Sequence, residues 1–161
     1  MFPKTFQATA ITVLALLTPS VVADGADAAS WPTGIDVAPA IKENIKALYS
    51  AVNDPKGSLA VAATFTPNGS FVENGMTFEG HTEISTAIAG AYNTTFLTQN
   101  HTIFEVFAIQ SPGLDLMLRG NSISERFNGS IQEEDFIAWV TTSKLSLDQG
   151  EAKIERLQVF H

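Results

Sequence analysis

Two residues of this chain, Glu73 and His101, have side chains that could act together in acid–base chemistry. Glu73 lies just before the turn dipeptide Asn74-Gly75, in a stretch of strand-forming residues. Because side chains alternate along a strand, Glu73 shares a face with Phe71, and both point into a pocket if Phe71 does. A carboxylate in an apolar pocket is poorly hydrated and can abstract a proton near neutral pH. The alternative is that Glu73 is a solvated residue beside a hairpin turn.

His101 is predicted to face the same pocket. Asn100 lies in the glycan-acceptor sequence Asn-His-Thr and must face solvent if it carries a glycan, so strand alternation turns His101 inward. We predict that Glu73 and His101 lie within about 8 Å of each other and are hydrogen-bonded, directly or through water, because an unpaired buried carboxylate is costly. In such a couple each group stabilises the charged form of the other. The alternative for His101 is a hydrogen-bonded core histidine.

The elements that would position these residues follow from hydrophobic periodicity. Apolar residues recur at helical spacing in residues 41–52 and 84–91, and Ser58 can cap a shorter helix that runs to Phe65. From residue 101 the period changes to two, with turn sequences at 111–113, 128–129 and 148–150. Gly120 lies inside one of these strands and indicates a bulge. The pattern predicts an α+β fold with three N-terminal helices packed on a curved, mostly antiparallel sheet.

This order of elements resembles the SnoaL-like branch of the nuclear-transport-factor-2-like superfamily. The resemblance is carried mainly by residues 62–84, where a helix, a strand, the Asn74-Gly75 hairpin and a new helix follow one another. It implies a cone with a deep apolar pocket whose mouth this segment forms, an acid on the strand and often a histidine at the position of His101. It also places an oxyanion-stabilising tyrosine one residue away from Tyr49, so that Tyr49 is expected at the pocket rim.

Aromatic side chains are expected to line such a pocket. Trp139 is either a wall of the pocket or part of a dimer interface on the sheet face. The predicted pocket residues are Tyr49, Phe65, Phe71 and Trp139.

The N-terminus has the features of a secretory signal. Lys4 is followed by an apolar run from Ala8 to Leu17, and Val21-Val22-Ala23 matches a small-x-small cleavage site. The apolar run is shorter than the roughly 20 residues that a membrane-spanning helix needs, which disfavours the alternative of an anchor. We therefore expect a signal peptide at 1–23, a flexible tail at 24–35, one domain at 36–161, and a secreted, extracellular protein with no membrane association after cleavage.

Four asparagines lie in Asn-x-Ser/Thr sequences, which accept N-linked glycans in secreted proteins. The alternative for the Asn-Gly-Ser cases is ordinary turn chemistry. The four are Asn68, Asn93, Asn100 and Asn128.

Composition excludes several classes of function. The formal net charge of −8 disfavours nucleic acid as a partner. The chain has no cysteine and three widely spaced histidines, which gives no metal-ligand spacing, and no glycine-rich phosphate loop, so no cofactor is implied. The leading hypothesis is a secreted protein that binds a small apolar molecule and catalyses cofactor-free isomerisation, cyclisation or dehydration. The alternatives are a non-catalytic carrier and a homodimeric interaction protein that associates through its sheet face.

Overall fold

A computed structural model describes residues 25–161, and the predicted signal peptide at 1–23 lies outside them. The helices are α1 (Pro39–Val52), α2 (Ser58–Ala63), α3 (Gly80–Thr94) and α4 (Lys144–Asp148). The strands are β1 (Phe65–Glu73), β2 (Met76–Glu79), β3 (Phe96–Ala108), β4 (Asp115–Arg126), β5 (Ile131–Thr142) and β6 (Ile154–Phe160). The predicted α+β class is confirmed.

The first three helices cover one face of the sheet. Pro39 starts α1, where its missing N–H is not needed, and Ile41, Ile45 and Leu48 are buried on one stripe of that helix. The end of α1 is tied to α3, because the Tyr92 hydroxyl donates a hydrogen bond to the Val52 carbonyl oxygen (2.5 Å). This bond fixes the last turn of α1, from which the next residue, Asn53, reaches the sheet.

The six strands form one sheet in the order β2-β1-β6-β5-β4-β3. All neighbours are antiparallel except β1 and β6, which are parallel, and this pairing joins the N-terminal hairpin to the C-terminal meander. The hairpin turn occurs at Asn74-Gly75 as predicted, with φ of 50° and 77°. One end of the helix-facing side of the sheet is closed by packed aliphatic side chains: Val106, Leu116, Leu118, Ala138 and Val140.

Gly120 allows a close approach between β3 and the inner face of the sheet. A Cβ atom at this position would lie 2.5 Å from the Thr102 carbonyl oxygen and 2.8 Å from the Phe136 ring. The pairing of β3 with β4 shifts register between Ile103 and Glu105, directly opposite Gly120. The predicted bulge is therefore present, with the extra residue on β3.

Residues 25–35 are not the flexible tail that the sequence suggested. The Ser30 N–H donates to the Phe104 carbonyl oxygen (2.9 Å), and Ser30 and Gly25 carbonyl oxygens accept from Val106 and Ile103 (2.9 and 2.8 Å). The segment thus covers the otherwise unpaired edge of β3, which a sheet must protect. The small residues and the proline suggested disorder, but backbone hydrogen bonding depends little on side-chain size. Gly25 also needs to be small, because a Cβ atom there would collide with Tyr49.

Two further details of the fold differ from the prediction. The fold has four helices among the described residues, since α4 occupies the stretch before the turn at 148–150, with the Ser143 side chain accepting a hydrogen bond from the Ser146 N–H (3.4 Å). The sequence Pro67-Asn68-Gly69 is typical of a turn, but these residues belong to β1, whose pairing with β6 shifts register between Phe65 and Ser70. A helix of five residues is too short to show periodicity, and a register shift has the same Pro/Asn/Gly composition as a turn.

Candidate functional site

A cavity of about 520 Å³ lies between α1–α3 and the end of the sheet where β3 begins and β4 ends. Its size is in the range of cavities that bind small molecules. Its apolar wall includes Leu48 and Val52 of α1, Ala87, Ile88 and Ala91 of α3, and several phenylalanines, among them Phe65, Phe71, Phe96 and Phe136. Three of the four predicted pocket residues, Tyr49, Phe65 and Phe71, line it.

Trp139 does not line this cavity. Its side chain is 40% exposed on the outer face of the sheet, opposite to the helices, where it forms a shallow groove with Phe107 and Met117. Strand alternation explains the difference, since Phe136, Ala138 and Val140 occupy the inner face of β5. The placement of Trp139 in the pocket was therefore wrong.

The polar part of the cavity is built from cross-strand rows on the inner face. His101 pairs with Ser122, which pairs with Glu134, and the adjacent row is Gln99, Ser124 and Gln132. All six residues line the cavity. Residues directly opposite each other on neighbouring strands lie close enough to interact, so the sheet itself brings these polar groups together at the open end of the cone.

Glu73 lines the cavity, and its closest ionic partner is His161. His161 Nε2 lies 3.2 Å from Glu73 Oε1, and His161 Nδ1 lies 3.7 Å from Glu134 Oε2. The imidazole therefore bridges two carboxylates that come from β1 and β5. Sequence reasoning missed this group, because His161 follows the last strand and Glu134 lies in the run Glu133-Glu134-Asp135, which is typical of a solvated edge. The parallel pairing of β1 with β6 brings them together.

His101 also lines the cavity, but it binds Asn53 rather than Glu73. Its Nδ1 lies 2.9 Å from Asn53 Oδ1, and the same oxygen accepts the His101 backbone N–H (2.8 Å). An amide oxygen only accepts, so Nδ1 carries the proton and Nε2 has the lone pair. The predicted direct hydrogen bond between Glu73 and His101 is therefore absent. The ring N–H that could donate to the Glu73 carboxylate donates to Asn53 instead. The sequence marked Asn53 only as the end of a helix.

The surroundings of His101 keep it neutral. Burial, with a smaller contribution from the charge of His161, lowers the pKa of His101 to about 4. The ring packs against Tyr49 and Phe136, with centroids 6.1 and 5.8 Å away. The expectation that Glu73 would stabilise a charged His101 fails for this reason. At neutral pH His101 offers the cavity an acceptor nitrogen and no positive charge.

Tyr49 supplies a neutral hydroxyl at the same place. Burial, and then the charge of Glu73, raises the pKa of Tyr49 well above its ordinary value. The phenol is therefore protonated at any physiological pH. Its ring stacks on Phe136 at 6.1 Å, in the space that Gly120 leaves open.

The chemistry of a metal site is not found in the described residues. Within residues 25–161, no group of three or more His, Cys, Asp or Glu side chains is arranged to hold a metal ion. In the same range, no helix has the length and apolarity to cross a membrane.

The four glycan-acceptor asparagines are all exposed. Asn100 and His101 lie on opposite faces of β3, as predicted. The Asn128 side chain accepts hydrogen bonds from the backbone and hydroxyl of Ser130 (3.0 and 2.7 Å), which is the turn chemistry that was the alternative for this site.

Comparison with known proteins reveals the fold. No family model and no curated protein match the chain. Among solved structures, a ketosteroid isomerase-like-fold protein from Catenulispora acidiphila DSM 44928, in complex with trimethylamine, is similar with a TM-score of 0.63 at 16% identity, over 74% of this chain and 85% of that one. An NTF2-like protein of unknown function from Burkholderia pseudomallei K96243 gives 0.62 at 14% identity, over 76% and 91%.

A putative polyketide cyclase from Sinorhizobium meliloti is similar with a TM-score of 0.57 at 17% identity, over 73% of this chain and 94% of that one. At these identities the likeness concerns the fold alone. These likenesses show that the chain has the cone-shaped α+β fold of the NTF2-like proteins.

Proposed function

We propose that this chain is a secreted SnoaL-like domain that binds a small apolar molecule in the cavity and catalyses cofactor-free proton transfer on it. The observation that carries the proposal is one apolar cavity on which Glu73, His101, His161 and Tyr49 converge. Several converging polar groups are typical of an enzyme, whereas an all-apolar lining is typical of a carrier. The ketosteroid isomerase-like and polyketide cyclase neighbours have a fold compatible with this chemistry.

In the proposed reaction Glu73 is the base. Its carboxylate takes a proton from a carbon next to a carbonyl group, and the ligand oxygen gains negative charge, which the neutral Tyr49 hydroxyl stabilises by donating a hydrogen bond. His161 holds the Glu73 carboxylate in place through Nε2. His101 is the partner of Glu73 in the cavity lining, and its Nε2 can accept a hydrogen bond from a ligand hydroxyl. Isomerisation, cyclisation and dehydration of a carbonyl compound can each begin with such a proton removal.

Ligand binding is tested separately from catalysis by filling the cavity. We expect the protein to bind N-phenyl-1-naphthylamine, an apolar dye that fluoresces when it leaves water. Ala87→Phe, which places a ring in the cavity, should abolish the signal. Ala47→Phe, an equal change at an exposed position of α1, should leave it unchanged. No dye binding by the unmodified protein, or loss with both variants, would contradict the binding proposal.

We also propose that the protein is secreted and carries N-linked glycans. We expect protein secreted by a eukaryotic host to begin near Asp24 and to carry glycans at least at Asn68 and Asn128, which are exposed. Intact mass spectrometry before and after treatment with an N-glycosidase measures both. A product that retains Met1 would contradict the signal peptide, and an unchanged mass after treatment would contradict glycosylation of both asparagines.

A second role is favoured by the outer face of the sheet. Phe107, Met117 and Trp139 form one cross-strand row, and Ile137 and Phe160 lie in the next. These side chains are between 39% and 50% exposed. A contiguous apolar sheet face of this kind is typical of an interface, and we propose that a second copy of the chain covers it.

Trp139→Asp should then convert a dimer to a monomer in sedimentation velocity, and a wild-type monomer would contradict the proposal.

A further inference from the structure

Arg126 differs from the other cavity residues in charge and in pairing. Among the described residues that line the cavity, it is the one lysine or arginine. No carboxylate in the part of the chain described by the structure lies within ion-pair distance of it. Its Nη2 donates a hydrogen bond to Gln132 Oε1, and its guanidinium carbon lies 5.7 Å from the centre of the Phe96 ring. Its Nε is buried and has no hydrogen-bond partner among the described residues. A guanidinium held in this way is incompletely compensated, which is unfavourable.

Gln132 keeps the cation and the acidic cluster apart. Its Oε1 accepts from Arg126, while its Nε2 donates to Glu134 Oε1. Glu134 in turn lies beside His161, which also contacts Glu73. The cavity therefore has an acidic end and a cationic end, and the residue between them is a neutral amide that transmits hydrogen bonds but does not neutralise the guanidinium.

We infer that Arg126 binds an anionic oxygen of the ligand, such as a carboxylate, enolate or phenolate on an otherwise apolar body. The inference rests on the proposed function, because the cavity must take the apolar part. A planar guanidinium recognises an oxyanion through paired N–H groups and is already partly desolvated beside Phe96. The ligand class is then an apolar organic acid or an enolisable compound rather than a neutral hydrocarbon.

Two dyes with one skeleton separate the anion from the apolar body. 8-Anilinonaphthalene-1-sulfonate is N-phenyl-1-naphthylamine with a sulfonate group, and both fluoresce in apolar sites. Arg126→Gln removes the charge and should weaken binding of the sulfonate dye roughly tenfold or more, while binding of the neutral dye changes by less than about twofold. Arg126→Lys keeps the charge but not the planar donor pair, and should weaken the sulfonate dye by a smaller factor.

Arg119→Gln is the matched control. Arg119 lies on the same strand but faces outward, paired with Glu105 at 3.1 Å. This substitution should leave the binding of both dyes unchanged. Loss of the sulfonate dye with Arg119→Gln instead would place that dye on the outer face and overturn the inference.

Other outcomes also overturn it. Equal loss of both dyes with Arg126→Gln means that Arg126 only supports the cavity wall, and circular dichroism shows whether the variant is folded. If Arg126→Gln does not fold, unchanged sulfonate-dye binding in Arg126→Lys counts against the inference. Binding of the sulfonate dye with no dependence on Arg126 removes this inference alone, whereas failure of the wild-type protein to bind either dye removes the proposed function as well.

Discussion

Replacing Glu73 by glutamine should lower the rate of proton abstraction in the cavity by roughly a hundredfold or more, the usual contribution of a general base. A generic carbon acid, 5-nitrobenzisoxazole, tests this without knowledge of the natural substrate. Removal of its C3 proton breaks the N–O bond and gives a nitrile and a phenolate, whose absorbance is measured. Glutamine has nearly the same shape and its amide oxygen can still accept a hydrogen bond from His161, but it cannot take up the proton.

Glu133→Gln is the control for this experiment. Glu133 is exposed on the outer face of β5, so the same chemical change there should leave the rate unaltered. A folded Glu73→Gln protein with the wild-type rate would show that Glu73 is not the base. Equal loss in both variants would point to a change in overall charge rather than to catalysis, and the carrier hypothesis would then be favoured.

The sequence predicted the local parts of this site and missed those that depend on long-range pairing. The parity of Phe71 and Glu73, the inward orientation of His101 and the bulge at Gly120 follow from neighbours along the chain. The contact of His161 with Glu73 depends on the parallel pairing of β1 with β6, between residues 88 positions apart. No periodicity within either segment indicates that register.

The inward position of some polar residues was the second feature that the sequence did not predict. Glu134 lies between two other acids and looks solvated by composition, yet the alternation of β5 places it inward while Glu133 and Asp135 point outward. The prediction for Trp139 was wrong in the opposite sense. Its large aromatic side chain suggested a pocket wall, although strand alternation places Trp139 on the same outer face as Asp135. Composition was the weaker guide in both cases, and strand parity would have given the correct face once anchored at Phe136.

Acid should destabilise the protein through His101. Its pKa is lowered from 6.5 to about 4 in the folded state, by burial and then by His161, whereas in the unfolded chain it returns to the ordinary value. Between these values the unfolded chain binds a proton that the folded chain does not, so lowering the pH favours unfolding. The contribution of neutral His101 to the free energy of unfolding is fully present above about pH 6.5 and falls by about 3 kcal/mol by pH 4.

The measurement is urea unfolding from pH 7 to pH 4 for the wild-type protein and two variants. His101→Gln cannot titrate, and its side-chain amide can still donate to Asn53, so its free energy of unfolding should fall by about 3 kcal/mol less than that of the wild type over this range. His81→Gln removes an exposed histidine and should follow the wild-type curve. Parallel curves for the wild type and His101→Gln would contradict this expectation. They would mean that His101 is protonated in the folded protein near pH 6.5, which would also remove its assigned role as a neutral acceptor in the cavity.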